Sequence, residues 1–167
     1  MGRGEYQTRI AWKEKSEENI KAGELLEINR MYNAAISRYY YGIFLLFKSC
    51  LSELCFESDK EFKAWENRIT SDGNKKRFYA DKHEKDSVGS HDIIIFSGID
   101  LLQSARIVSL KEGDVIRLEL SYVKQKRNSA DYNKWMHDDI DCNKIQQKVL
   151  TLCEEITKWN KRNLKEY

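Results

Sequence analysis

The clearest hydrophobic period lies near the end of the chain. Ile145, Val149, Leu152, Ile156 and Trp159 recur at spacings of four, three, four and three. That repeat marks one face of an α-helix and predicts a continuous apolar seam. Asp139 and Asp141 stand at its start, Arg162 and Lys165 near its end, as the helix dipole favours. A second segment, about residues 33–56, is apolar almost all round: Ile36, Tyr39, Tyr40, Ile43, Phe44, Leu46, Phe47, Leu51 and Leu54. A helix without a polar face is covered on several sides, so this one is predicted to be the centre of a bundle.

Around these two, weaker periods predict further helices. Residues 5–28 form a moderately amphipathic first helix, with Ile10, Ile20, Leu25 and Ile28 toward the core, and Asn29 or Asn33 caps its successor. Residues 57–90 read as a polar insertion. Within it, Ser58-x-x-Glu61 is a capping box that opens a short helix presenting Phe62, Trp65 and Ile69, and 75–89 reads as a loop. Ser90 caps a helix of about 91–107. Glu112-Gly113-Asp114 reads as a turn, followed by a helix from Val115 to about Asn128 with Leu118, Tyr122 and Val123 inside. No segment longer than a few residues has strand period. The expected fold is therefore a single all-α domain over 1–167, an antiparallel bundle of four or five main helices.

Composition sharpens this reading. The 167 residues contain no proline, so nothing interrupts long helices. Lysine and arginine (29) nearly balance aspartate and glutamate (27), so any attraction for nucleic acid has to be local. The N-terminal residues lack the apolar run of a secretory signal, and no stretch approaches the roughly 20 apolar residues of a membrane span, so a cytoplasmic location is expected. Cys50, Cys55, Cys142 and Cys153 lie in apolar runs without a C-x-x-C spacing, and are expected as reduced, packed thiols.

Signatures of phosphate loops, zinc proteases and nucleophile elbows are absent, and His83, His91 and His137 are too scattered to suggest a metal. No metal or cofactor is expected. Two segments carry candidate chemistry. In 33–44, Arg38 stands in an otherwise apolar helix; a buried charge there needs a carboxylate from a neighbouring helix, and small residues at 34, 35 and 37 would admit one closely. In 123–133, Lys124, Lys126 and Arg127 close a helix ahead of Asn128, Asp131 and Tyr132. Two readings stand there: cations compensating the helix dipole, or a local anion site in which the Arg127 fork grips phosphate beside Lys124 and Lys126.

The AAISRYYYGIF helix, the Ser90-His91-Asp92 helix start and the KRNSADY segment together resemble the HEPN family of small helical bundles, over about residues 20–160. The resemblance implies a HEPN-like bundle, a homodimer, and a cytoplasmic role with RNA in toxin–antitoxin or phage-defence systems. In that family many members are metal-independent endoribonucleases. Carried over, Arg127 matches the family arginine and Asn128 the polar residue after it. The family places a histidine four to six residues beyond the arginine, where this chain has Asp131, Tyr132 and Asn133. Proton transfer would then fall to His137 or His91, with Tyr132 assisting. The other reading is a non-catalytic module that binds a nucleotidyltransferase or another effector protein. An open groove at Arg127 favours the first; a carboxylate-paired, buried Arg127 favours the second.

Overall fold

The helix predicted as central is central. A computed structural model describes the backbone of residues 3–71, 89–132 and 137–163, with side chains from Arg9 to Arg162 inside those ranges. Six helices lie among the described residues: α1 (Arg3–Ile28), α2 (Tyr32–Cys55), α3 (Asp59–Ile69), α4 (Ser90–Ser104), α5 (Leu110–Tyr132) and α6 (Asp139–Asn163), and no strand. Thirteen of the 24 residues of α2 are buried, because α1, α4, α5 and α6 all pack on it. The fold is an all-α bundle.

The packing direction follows from paired contacts. Ser16 Oγ donates to the Gly42 carbonyl at 2.7 Å and Ser49 Oγ to the Arg9 carbonyl at 3.1 Å, so α1 runs antiparallel to α2. Asn33 with Ala130 and Tyr41 with Arg127 make α5 antiparallel to α2 as well. Asp92 with Lys124 and Asp100 with Arg117 make α4 antiparallel to α5. The α6 seam is buried throughout: Ile145, Val149, Leu152, Ile156 and Trp159 are each at most 3% exposed. Ser58 Oγ accepts from the Glu61 N–H at 3.3 Å, the cap expected for α3. Arg9 ties that helix to α1, with Nε 3.0 Å from buried Asp59.

Several expectations are corrected. The Glu112-Gly113-Asp114 turn is helix, because Ser109 caps α5 earlier: Ser109 N donates to Glu112 Oε2 at 2.9 Å and Glu112 N to Ser109 Oγ at 3.2 Å. The same helix runs on to Tyr132, past the end expected at about Asn128, so Asp131 and Tyr132 are helical rather than a turn. Neither Asn29 nor Asn33 caps α2, and Gly89 rather than Ser90 precedes α4. Ile10 (40% exposed), Leu25 (62%), Ile28 (79%), Leu118 (70%) and Tyr122 (37%) face outward, since no helix among the described residues covers those faces. The first and fourth helices end at Arg30 and Arg106, which hold φ of 60° and 58°, the left-handed conformation that glycine usually supplies.

The loop predicted at 75–89 (Gly89 apart), His83, Asn133 and Lys165 lie outside the described residues. All four cysteines are free. Burial pushes the thiols of Cys50 and Cys142 up to about 12 and those of Cys55 and Cys153 up to about 11, which keeps them protonated and poor nucleophiles. No helix among the described residues is long and apolar enough to cross a membrane.

Candidate functional site

Along the solvent-side edge of α2, Ser37, Tyr41 and Lys48 interrupt the apolar surface at helical spacing, each half-buried. A polar cluster forms where this edge meets the start of α4 and the end of α5. Arg127 is its hub, with a side chain only 16% exposed. Its Nη2 donates to the Tyr41 hydroxyl at 2.8 Å and its Nη1 to Asn128 Oδ1 at 3.1 Å. Nε stands 2.7 Å from Asp131 Oδ2, one helical turn on, as an ion pair whose N–H points off the oxygen. The other oxygen of Asp131 accepts from Ser37 Oγ, which fixes the carboxylate against α2. The guanidinium carbon also lies 5.3 Å from the centre of the Tyr41 ring and 5.5 Å from that of Tyr132.

The run of cations does not form one patch. Lys124 reaches α4 and pairs with Asp92, whose Oδ2 also accepts from the Gly89 N–H at 2.9 Å. Lys126 lies on a different side of α5, its Nζ 5.7 Å from the Tyr122 ring centre. Helical geometry explains the division: residues two apart point about 200° apart, so neighbours in sequence part company in space.

His91 enters the cluster from α4. Its Nδ1 lies 2.8 Å from the Tyr40 hydroxyl, and its ring stacks on Phe44 at 4.0 Å between centroids. Burial, then the positive charges of Lys124, Arg127 and Lys48, lower its pKa from the ordinary 6.5 to about 4, against a smaller opposing effect of Asp92. The ring is therefore neutral at pH 7. Because the folded state binds the proton less well than the unfolded chain, this stabilisation is complete above pH 6.5 and is lost as the pH falls toward 4. The residue is only half-buried, so the loss expected between pH 7 and 4 is about 2 kcal/mol. Urea denaturation of wild type and His91→Gln across that range checks this. The stability difference between them shrinks as the pH falls, and parallel curves would sink the assignment.

The other candidates are placed elsewhere. His137 does not join Arg127; its Nδ1 faces Asp141 Oδ2 at 3.2 Å and its backbone N–H donates to Asn33 Oδ1 at 2.9 Å. Asn33 in turn donates to the Ala130 carbonyl at 3.1 Å, so His137 and Asn33 link the starts of α6 and α2 to the end of α5. Tyr132 is 76% exposed, with its ring beside Arg127. Arg38 is not a buried charge: it is exposed, and its Nη1 donates to Asn19 Oδ1 at 3.3 Å rather than to a carboxylate. The helices also approach closely at Gly42, where an added Cβ would lie 3.1 Å from the Ser16 carbonyl oxygen of α1.

Sequence reasoning missed Tyr41, Ser37 and Tyr40 as partners in the cluster. Only the hydroxyls of three consecutive tyrosines in an apolar helix could have signalled them, because a buried Tyr O–H generally finds a partner. Among the described residues no three His, Cys, Asp or Glu side chains gather in a way that could hold a metal ion. An incoming phosphate would have to displace Asp131 from Arg127 or Asp92 from Lys124. No protein-family model, no curated protein and no solved structure matches this chain.

Proposed function

We propose that the chain is a HEPN-like interaction module of a toxin–antitoxin or defence system, which binds a partner protein, such as a nucleotidyltransferase or an effector, through its helical faces. One observation carries the reading: Arg127 is a carboxylate-paired, largely buried staple between α5 and α2, and offers no open fork to RNA. The exposed apolar side chains Leu25, Ile28, Met31 and Ile140 supply the kind of surface that a binding module uses.

Fluorescence anisotropy with single-stranded and hairpin RNA tests it. The expected result is no binding tighter than the roughly 10⁻⁴–10⁻⁶ M of non-specific association at physiological salt. Co-expression with the product of the adjacent gene is expected to give a complex of fixed stoichiometry. Submicromolar, salt-dependent RNA binding that Arg127→Lys weakens would reverse the proposal.

A second reading, a metal-independent endoribonuclease, has one observation in its favour. His91 is neutral and stands in the cluster of Arg127, where an imidazole could take a proton from a ribose 2′-hydroxyl. RNA cleavage that survives EDTA and disappears in folded His91→Ala would select it over the first.

A further inference from the structure

We propose that Tyr40 is a positioning residue that fixes the ring proton of His91 on Nε2, so that the outer nitrogen of the imidazole is a hydrogen-bond donor without a free lone pair. The two side chains meet where α2 packs on α4, with the Tyr40 hydroxyl 2.8 Å from His91 Nδ1. A bond between a hydroxyl and a neutral imidazole can run in either direction. Burial decides this one. Tyr40 is 0% exposed, and Nδ1 is the only partner of its hydroxyl among the described residues. If Nδ1 carried the proton, Tyr40 would accept, and its own hydrogen would stay in the core without an acceptor. Tyr40 therefore donates, Nδ1 accepts, and the ring proton sits on Nε2. The phenol keeps its proton for this bond, because burial and the charge of Asp92 push its pKa well above the usual tyrosine range.

The aromatic stack keeps the ring in this orientation. His91 lies on Phe44 at 4.0 Å and on Tyr40 at 5.8 Å between centroids, with Tyr41 edge-on at 6.3 Å. A flipped ring would put Cδ2 against the Tyr40 hydroxyl and strand it. Nε2 has no hydrogen bond among the described residues, and His91 is half-buried, so Nε2–H is the group left to meet a bound molecule. It can donate to a carbonyl, carboxylate or phosphate oxygen, but it cannot take a proton. This narrows the ribonuclease reading above: His91 would there hold a phosphate oxygen, and the base for the 2′-hydroxyl has to be another group. The binding-module reading is untouched.

Long-range proton–nitrogen NMR correlation of the isotope-labelled full chain at pH 7, without RNA or partner, tests the assignment whichever reading holds. His91 is identified by its absence from the spectrum of His91→Gln. The expected pattern is a protonated Nε2 and an unprotonated Nδ1. The groups that face His91 are Tyr40, Tyr41 and Lys48 from α2, Asp92 from α4, and Lys124 and Arg127 from α5. All their charges are kept in Tyr40→Phe, so a changed titration there reports the lost hydroxyl. In that variant, with unchanged circular dichroism, the two tautomers are expected to mix. The midpoint of the His91 titration is expected to rise by about one pH unit, because the neutral ring has lost the bond that favoured it. A wild type with its proton on Nδ1 overturns the proposal, even if Tyr40→Phe fails to fold, and returns His91 to the ribonuclease reading as a base. A folded Tyr40→Phe with the wild-type pattern and midpoint overturns the role of Tyr40. RNA cleavage by a wild type with Nε2 protonated would keep the ribonuclease reading and the tautomer together, with the base elsewhere.

Discussion

Arg127→Ala is expected to lower the unfolding free energy by about 2–3 kcal/mol, below the 3–5 kcal/mol typical of breaking a fully buried pair. The reduction reflects the partial exposure of the two side chains, 16% for Arg127 and 27% for Asp131. The substitution strands two groups at once: the Asp131 carboxylate, left with Ser37, and the Tyr41 hydroxyl. For a chain of this size the loss is a fall in melting temperature of roughly 5–10 °C. Arg127→Lys should recover only part, because a single ammonium cannot reach Asp131, Tyr41 and Asn128 together as the planar fork does. Asp131→Ala in the Arg127→Ala background should add little, with a coupling of about 1–2 kcal/mol in the double-mutant cycle. Calorimetry and urea titration give these numbers. An Arg127→Ala protein that melts like the wild type would remove the staple, and with it the main support for a binding module over a ribonuclease.

Gly42→Val is expected to be more damaging, at about 3 kcal/mol or above, the upper end of what overpacking does. A Cβ at residue 42 would sit 2.6 Å from Ile20 Cγ1 and 3.1 Å from the carbonyl oxygen of Ser16. Ile20 can turn away, but the Ser16 oxygen is backbone, so α1 has to move as a body. That movement also pulls Ser16 Oγ off the Gly42 carbonyl, a buried hydrogen bond of 2.7 Å. Gly42→Ala should show a smaller loss in the same direction. If Gly42→Val retained the wild-type denaturation midpoint, the close seating of α1 on α2 would be wrong.

The helices and the centre of the bundle were legible in the hydrophobic pattern. Four apolar residues in a row of turns, as from Ile145 to Ile156, can be covered only if they share one helical face, and local stereochemistry alone enforces that. The all-round apolar character of residues 33–56 likewise allowed no place but the middle. Capping at Ser58 was legible for the same local reason, since donor and acceptor lie three residues apart.

Tertiary structure decided the rest. Periodicity tells which residues share a face but not whether a neighbour covers it, so Leu25, Ile28 and Leu118 carry a core pattern and yet are exposed. The start of α5 turned on one choice between Gly113 as a breaker and Ser109 as a cap, and the reciprocal Ser109–Glu112 bonds favoured the longer helix. At the candidate site, the partners of Arg127 and Asp131 on α2, Tyr41 and Ser37, lie 86 and 94 positions away in sequence. No local rule selects among the chain's many hydroxyls and carboxylates at such separations. The rotation of α5 about its axis made the selection, turning Arg127 inward to Tyr41, Lys124 toward Asp92 and Lys126 over Tyr122. Three cations that read as one basic cluster therefore became two intramolecular cross-links and a ring contact, because a helix advances about 100° at every residue.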